Sequence, residues 1–134
     1  MSSYKVIIVG NTKRGKTQWV NRLLFKKEEG DYSPTQGVNV SSLTLPSRNI
    51  VKIWDIGGKY RGLGNGYYIG ASAALIFADN EEEASYWVHD VLRICPLIAL
   101  LVVTQDPLLF SNNLPIKNKN GNPSSILEEI ILEV

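Results

Sequence analysis

Tyr4-Lys5-Val6-Ile7-Ile8-Val9-Gly10-Asn11-Thr12-Lys13-Arg14-Gly15-Lys16-Thr17 is the stretch that decides the fold. Tyr4 to Val9 is an apolar run of strand length. Gly10 to Thr17 then spells G-x-x-x-x-G-K-[ST], and Lys16 to Phe25 carries Trp19, Val20, Leu23 and Leu24 at helical spacing. Strand, glycine-bounded loop and helix in that order are the context in which this motif holds phosphate. Gly10 and Gly15 permit the tight curl. Successive backbone N–H groups form an anion nest, and the helix N-terminus adds its positive dipole end. Lys16 is placed to reach the outer phosphates and Thr17 to ligate Mg²⁺. The plain alternative is a glycine-containing turn with one solvated lysine; the flanking strand and helix argue against it.

Outward from this stretch, apolar runs alternate with helical patterns. Val38 to Leu45 and Ile50 to Trp54 read as a hairpin around Pro46-Ser47-Arg48-Asn49, and Ala73 to Ala78 as a further strand. Gly57 to Gly70 reads as a glycine-rich loop with a short helix. Asn80 and Glu83 have the spacing of an N-cap with its carboxylate partner. They open a helix with Ala84, Trp87, Val88, Val91, Leu92 and Cys95 on its apolar face, stopped by Pro96. Leu97 to Val103 reads as a buried parallel strand. Asp106 to Pro123 reads as loop with a short strand near Leu114-Pro115-Ile116, and Ser124 to Val134 as a last helix. The expected fold is therefore α/β: a P-loop NTPase sandwich of three layers, mostly parallel, with one antiparallel hairpin strand.

The chain has 134 residues, 44% hydrophobic and 20% charged, which fits one globular domain over residues 1–134. A net charge of +1 argues against a general nucleic-acid binder. The single Cys95 fits a reducing, cytoplasmic or nucleocytoplasmic setting. No signal peptide or membrane-length apolar run is visible. With Ser at residue 2 and no cysteine in Ile131-Leu132-Glu133-Val134, no lipid anchor is expected.

Two further segments bear on chemistry. In Trp54-Asp55-Ile56-Gly57-Gly58, Asp55 closes an apolar strand and can hold Mg²⁺ through water, while Gly58 can offer its N–H to a terminal phosphate. In Tyr32-Ser33-Pro34-Thr35, the Thr35 hydroxyl can complete the Mg²⁺ shell. In this order the pieces resemble the Ras-type small GTPases. Lys59 to Asp79 and Thr35-Gln36-Gly37-Val38 look closest to Ran, then Rab, and Trp87-Val88-His89-Asp90 to Arg93-Ile94-Cys95 resembles the helix that follows in Ran. The resemblance covers residues 4 to about 106 and fades beyond.

The resemblance implies a GTP/GDP switch with Mg²⁺. Its phosphate-binding residues would be Asn11, Thr12, Lys13, Arg14, Gly15, Lys16, Thr17, Gln18, Thr35 and Gly58, the side chains of Lys13 and Arg14 pointing to solvent. Its metal ligands would be Thr17 and Thr35, with Asp55 acting through water, and Tyr32 would flank the phosphates. Effectors and regulators would dock on switch loops 30–38 and 55–70 of a monomer.

Departures qualify this. Lys59 stands where the family places the Gln that orients water; lysine only donates, so hydrolysis is expected to be slow. Tyr60 replaces a Glu, Thr12 stands at a common Gly position, and Glu28 stands where an aromatic stacks on the base. Thr104-Gln105-Asp106 approximates the guanine-reading motif with Asp one position early, and Asn118 and Lys119 within Lys117-Asn118-Lys119 approximate a second base-binding element. The segment between Asp106 and Lys117 is too short for the usual helix, so the domain is expected to be trimmed toward its C-terminus. The leading expectation is a slow GTP-binding switch. Its rival is a pseudo-GTPase that mimics a Ran or Rab protein without turnover; a phosphate-loop kinase or ATPase fits less well.

His89 is expected on a solvated helix face with Tyr86, Asp90 and Arg93. Cys95 is expected in the core, and Trp54 and Trp87 in the core or facing a partner. Glu81-Glu82-Glu83 reads as a solvated first turn.

Overall fold

The computed structural model describes residues 3–11, 14–24, 38–57, 65–110 and 114–134. Six strands, β1 (Ser3–Gly10), β2 (Val38–Thr44), β3 (Ile50–Ile56), β4 (Ala73–Phe77), β5 (Ala99–Thr104) and β6 (Ile116–Asn118), form one sheet in the order β2-β3-β1-β4-β5-β6. Only β2 runs antiparallel, against β3 at one edge. The remaining neighbours are parallel. Helices α1 (Lys16–Leu23) and α4 (Pro123–Ile131) cover one face, and α2 (Asn65–Tyr68) and α3 (Glu81–Leu92) the other. This is the expected three-layer α/β P-loop NTPase sandwich.

The reason lies in β1. Val6, Ile7, Ile8 and Val9 are all fully buried. Val6 and Ile8 face the α1/α4 layer with Trp19, Leu23 and Leu127, whereas Ile7 and Val9 face the α2/α3 layer with Tyr68, Ala84 and Trp87. A strand buried on both sides reads as a continuous apolar run. Each such side chain contributes about 1.5–3 kcal/mol by leaving water.

Local signals set the helices. At α3 the Asn80 side chain accepts the Glu83 N–H at 2.9 Å, and Asn80 Nδ2 donates to Glu83 Oε2 at 3.2 Å. At α4 the Asn122 side chain accepts the Ser125 N–H at 3.2 Å, with Pro123 in the first turn.

Several boundaries differ from expectation. Helix α1 ends at Leu23, and α3 ends at Leu92, short of Cys95 and Pro96. Strand β3 continues to Ile56, so Asp55 lies within it as the register partner of Ile8. Strand β5 begins at Ala99, and Leu97 before it is 97% exposed. Between β5 and β6 stands a short 3-10 turn, Pro107–Leu109. Strand β6 and helix α4, beyond the span of resemblance, still join the sheet and core.

Candidate functional site

The parallel strands bring Gly10, Ile56, Phe77, Thr104 and Asn118 to one end of the sheet. β1 has β3 on one side and β4 on the other, so the chain leaves β1 where the strand order reverses, the place where open α/β sheets form their ligand crevice. Both loop glycines are required. Gly10 has φ +150°, and a Cβ there would press into the Phe77 carbonyl oxygen. Gly15 has φ +82° and is the N-cap of α1 with no side-chain cap, so the first N–H groups of the helix face the loop.

Lys16 is 6% exposed, and its Nζ donates to the Gly10 carbonyl at 3.0 Å and the Asn11 carbonyl at 2.9 Å. Burial lowers its pKa, Asp55 opposes that shift, and the Arg14 cation adds to it. Thr17 Oγ1 donates to Asp55 Oδ2 at 3.1 Å, and Asp55 is only 2% exposed. A hydroxyl and a carboxylate oxygen thus converge beside the lysine, a hard-oxygen pair of the kind Mg²⁺ takes. Gln18, half-buried, follows on α1.

Arg14 corrects the sequence reading. Its side chain does not point to solvent. Nε donates to Glu83 Oε1 at 2.8 Å and a terminal nitrogen to Glu83 Oε2 at 2.9 Å, with Asp79 Oδ2 at 3.3 Å. Glu83 is correspondingly not a solvated first-turn carboxylate; the Arg14 hydrogen bonds hold its pKa below the ordinary value, and Arg14 is held above its own. Asn11 is held as well: its Oδ1 accepts the Trp87 indole N–H at 3.0 Å.

Asp90 is also corrected. It is buried, not solvated; Tyr68 Oη donates to Oδ2 at 2.7 Å, and Arg93 donates to Oδ1 at 2.9 Å. Burial, then that hydrogen bond, raises the Tyr68 pKa. His89 does lie on an exposed face, with Nδ1 on the Ser85 carbonyl. It borders an open groove of about 860 Å³, shared with Asn11, Asn80 and Tyr86, beside the phosphate loop rather than at its mouth.

At the far end, Thr104 is buried, and its hydroxyl accepts the Asp106 N–H at 3.4 Å; Gln105 and Asp106 are exposed. Asn118 pairs with Thr104, and the Lys119 N–H donates to the Thr104 carbonyl at 2.8 Å, so these two elements do meet. Arg22 donates to the Lys119 carbonyl at 2.6 Å, and a Cβ on Gly15 would lie 3.7 Å from Lys119 Nζ. Thr12, Lys13, Glu28, Tyr32, Thr35, Gly58, Lys59, Tyr60 and most of both switch loops lie outside the described residues.

The sequence did not single out Trp87 or Glu83 as loop contacts, or Arg22. Glu83 was legible only as a cap, because its tie to Arg14 spans 69 positions.

A family model described as Ras of Complex, Roc, domain of DAPkinase matches residues 5–106. That span holds β1 from Lys5 onward, β2 to β5, the phosphate loop, Asp55 and the Thr104–Asp106 segment. The chain therefore belongs to the Roc family of Ras-like GTPase domains.

Proposed function

We propose that this Roc domain is a molecular switch that binds GTP and GDP with Mg²⁺ and hydrolyses GTP slowly. The carrying observation is the buried Lys16 ammonium, whose hydrogen bonds go to two neutral loop carbonyls at the N-terminus of α1. A cation so placed gains most from an arriving anion, because phosphate supplies the charge that carbonyls lack. Thr17 would hold Mg²⁺, with Asp55 acting through water and Thr35 completing the shell; the metal would supply positive charge against the phosphates.

In this reading Asn11 to Gln18 cradle the phosphates and Gly58 senses the terminal one. Thr104 to Asp106 with Asn118 and Lys119 face the base. The segments 30–38 and 55–70 carry Ran- or Rab-like effector contacts. Residues 1–134 act as one domain and as a monomer in the cytoplasm. Slow hydrolysis follows from Lys59, which only donates hydrogen bonds and cannot orient the attacking water as a Gln would.

A second reading, a pseudo-GTPase interaction module, is favoured by the buried Thr104 hydroxyl and by the 3-10 turn where the resembling family has a longer connection. Titration with fluorescent GDP, GTP and ATP in Mg²⁺, followed by phosphate release, separates the two. Guanine-selective, Mg²⁺-dependent binding with slow release is expected. Nucleotide binding without guanine selectivity or turnover supports the second reading, and no binding overturns the switch.

A further inference from the structure

We propose that Glu83, seconded by Asp79, is a positioning residue for the phosphate loop and acts on it through Arg14. The inference rests on the nucleotide-binding reading of that loop and goes beyond it to a residue outside the motif.

The geometry is a fork on a fork. Both Glu83 oxygens accept from Arg14, at 2.8 and 2.9 Å, and Asp79 adds an oxygen at 3.3 Å. The side chains of Arg14 and Glu83 are only 25% and 15% exposed, so solvent screens the pair less than a surface bridge. Glu83 is itself immobilised by the cap it shares with Asn80 and by the Asp79 N–H, 3.4 Å away. One helical turn on, Trp87 grips Asn11. Glu83 and Trp87 stand at i and i+4 on α3, hence on one face, and they hold loop residues 14 and 11. The first two turns of α3 are therefore a rigid backing for the loop. Because the loop contributes backbone N–H groups, its affinity for phosphate depends on their being aimed before the ligand arrives.

Charge gives Arg14 a second task. Asp79 and Glu83 stand beside an anion site, and the guanidinium neutralises them there. Removing Arg14 leaves both carboxylates facing the incoming phosphates.

The test is a double-mutant cycle in the whole chain. Glu83→Gln keeps an oxygen for the cap but removes the charge. GDP and GTP dissociation constants are measured with Mg²⁺, and amide exchange over residues 10–17 is followed in the nucleotide-free protein. Glu83→Gln is expected to weaken binding about fivefold and Arg14→Ala about tenfold, the range of a well-made ion pair read in a binding constant. The double variant should bind no worse than Arg14→Ala, and Arg14→Lys should fall between Arg14→Ala and the parent. Exchange over residues 10–17 should accelerate in Glu83→Gln by more than its shift in urea midpoint accounts for. Unchanged affinity and exchange in Glu83→Gln, or effects that multiply in the double variant, overturn the proposal. A parent chain that binds no nucleotide overturns the switch instead, and the exchange experiment then decides the positioning alone.

Discussion

Asn11 Oδ1 accepts the indole N–H of Trp87 at 3.0 Å, joining the first residue after the loop glycine to the second turn of α3. The same asparagine offers its carbonyl to Lys16. One residue thus ties the wall of the sandwich to the lysine that reads the ligand. Trp87→Phe keeps the ring in the core but leaves Asn11 Oδ1 without its donor. A loss of about 1 kcal/mol in urea unfolding is expected. Asn11→Ala combined with Trp87→Phe should cost no more than the larger single effect, since both remove the same bond.

Gly10 should tolerate no side chain. Gly10→Ala places a methyl against the Phe77 carbonyl at a φ that L-residues avoid, and should cost at least about 2 kcal/mol in chemical denaturation. Gly66 is the control: a Cβ there meets nothing within 4 Å, and Gly66→Ala in α2 should be neutral or stabilising by up to about 1 kcal/mol.

Gly10 shows where the sequence is readable. Val6 to Val9, Gly10, Gly15 and Lys16 are decided within a dozen residues, by alternation, loop curl and helix start, so local pattern suffices. The Asn80–Glu83 cap is readable for the same reason. Arg14 is not: a cation in a glycine-bounded loop reads as solvated until the fold brings Asp79 and Glu83 to it. Asp90 fails likewise, since periodicity puts it beside exposed His89 and cannot show that Tyr68, 22 positions earlier, donates to it. Strand β6 lies at Ile116–Asn118 rather than near Leu114-Pro115-Ile116, because three residues carry little periodic signal.

Tyr68 and Asp90 form a buried pair whose removal from one side is costly. Tyr68→Phe takes the hydroxyl donor from Asp90 Oδ2 while Arg93 stays on Oδ1, and should destabilise by about 1–3 kcal/mol in urea unfolding. Asp90→Asn can still accept from Tyr68 and should cost less than Tyr68→Phe.

Lys59→Gln tests the hydrolysis argument directly. Glutamine both donates and accepts, so it can orient water as lysine cannot. Single-turnover GTP hydrolysis should rise roughly tenfold or more, with GDP affinity unchanged. An unchanged rate would place the limitation elsewhere in the chain.

Lys16 makes nucleotide binding sensitive to alkaline pH. Burial, reinforced by the Arg14 cation, lowers its pKa from the ordinary 10.5, and Asp55 only partly offsets this. A phosphate contacting the ammonium favours the charged form and raises that pKa. Above the lowered value the free protein carries neutral Lys16 while the complex keeps it protonated, so binding takes up a proton. Affinity must then fall as pH rises, starting below the usual lysine range, and stay level at neutral pH where both states are charged. Lys16→Arg stays charged throughout and should bind more weakly but without that alkaline decline. GDP titrations of both proteins across neutral to alkaline pH read this out. A parallel decline in the two would show that another group titrates, and a parent curve that stays level would show that Lys16 does not meet the phosphates.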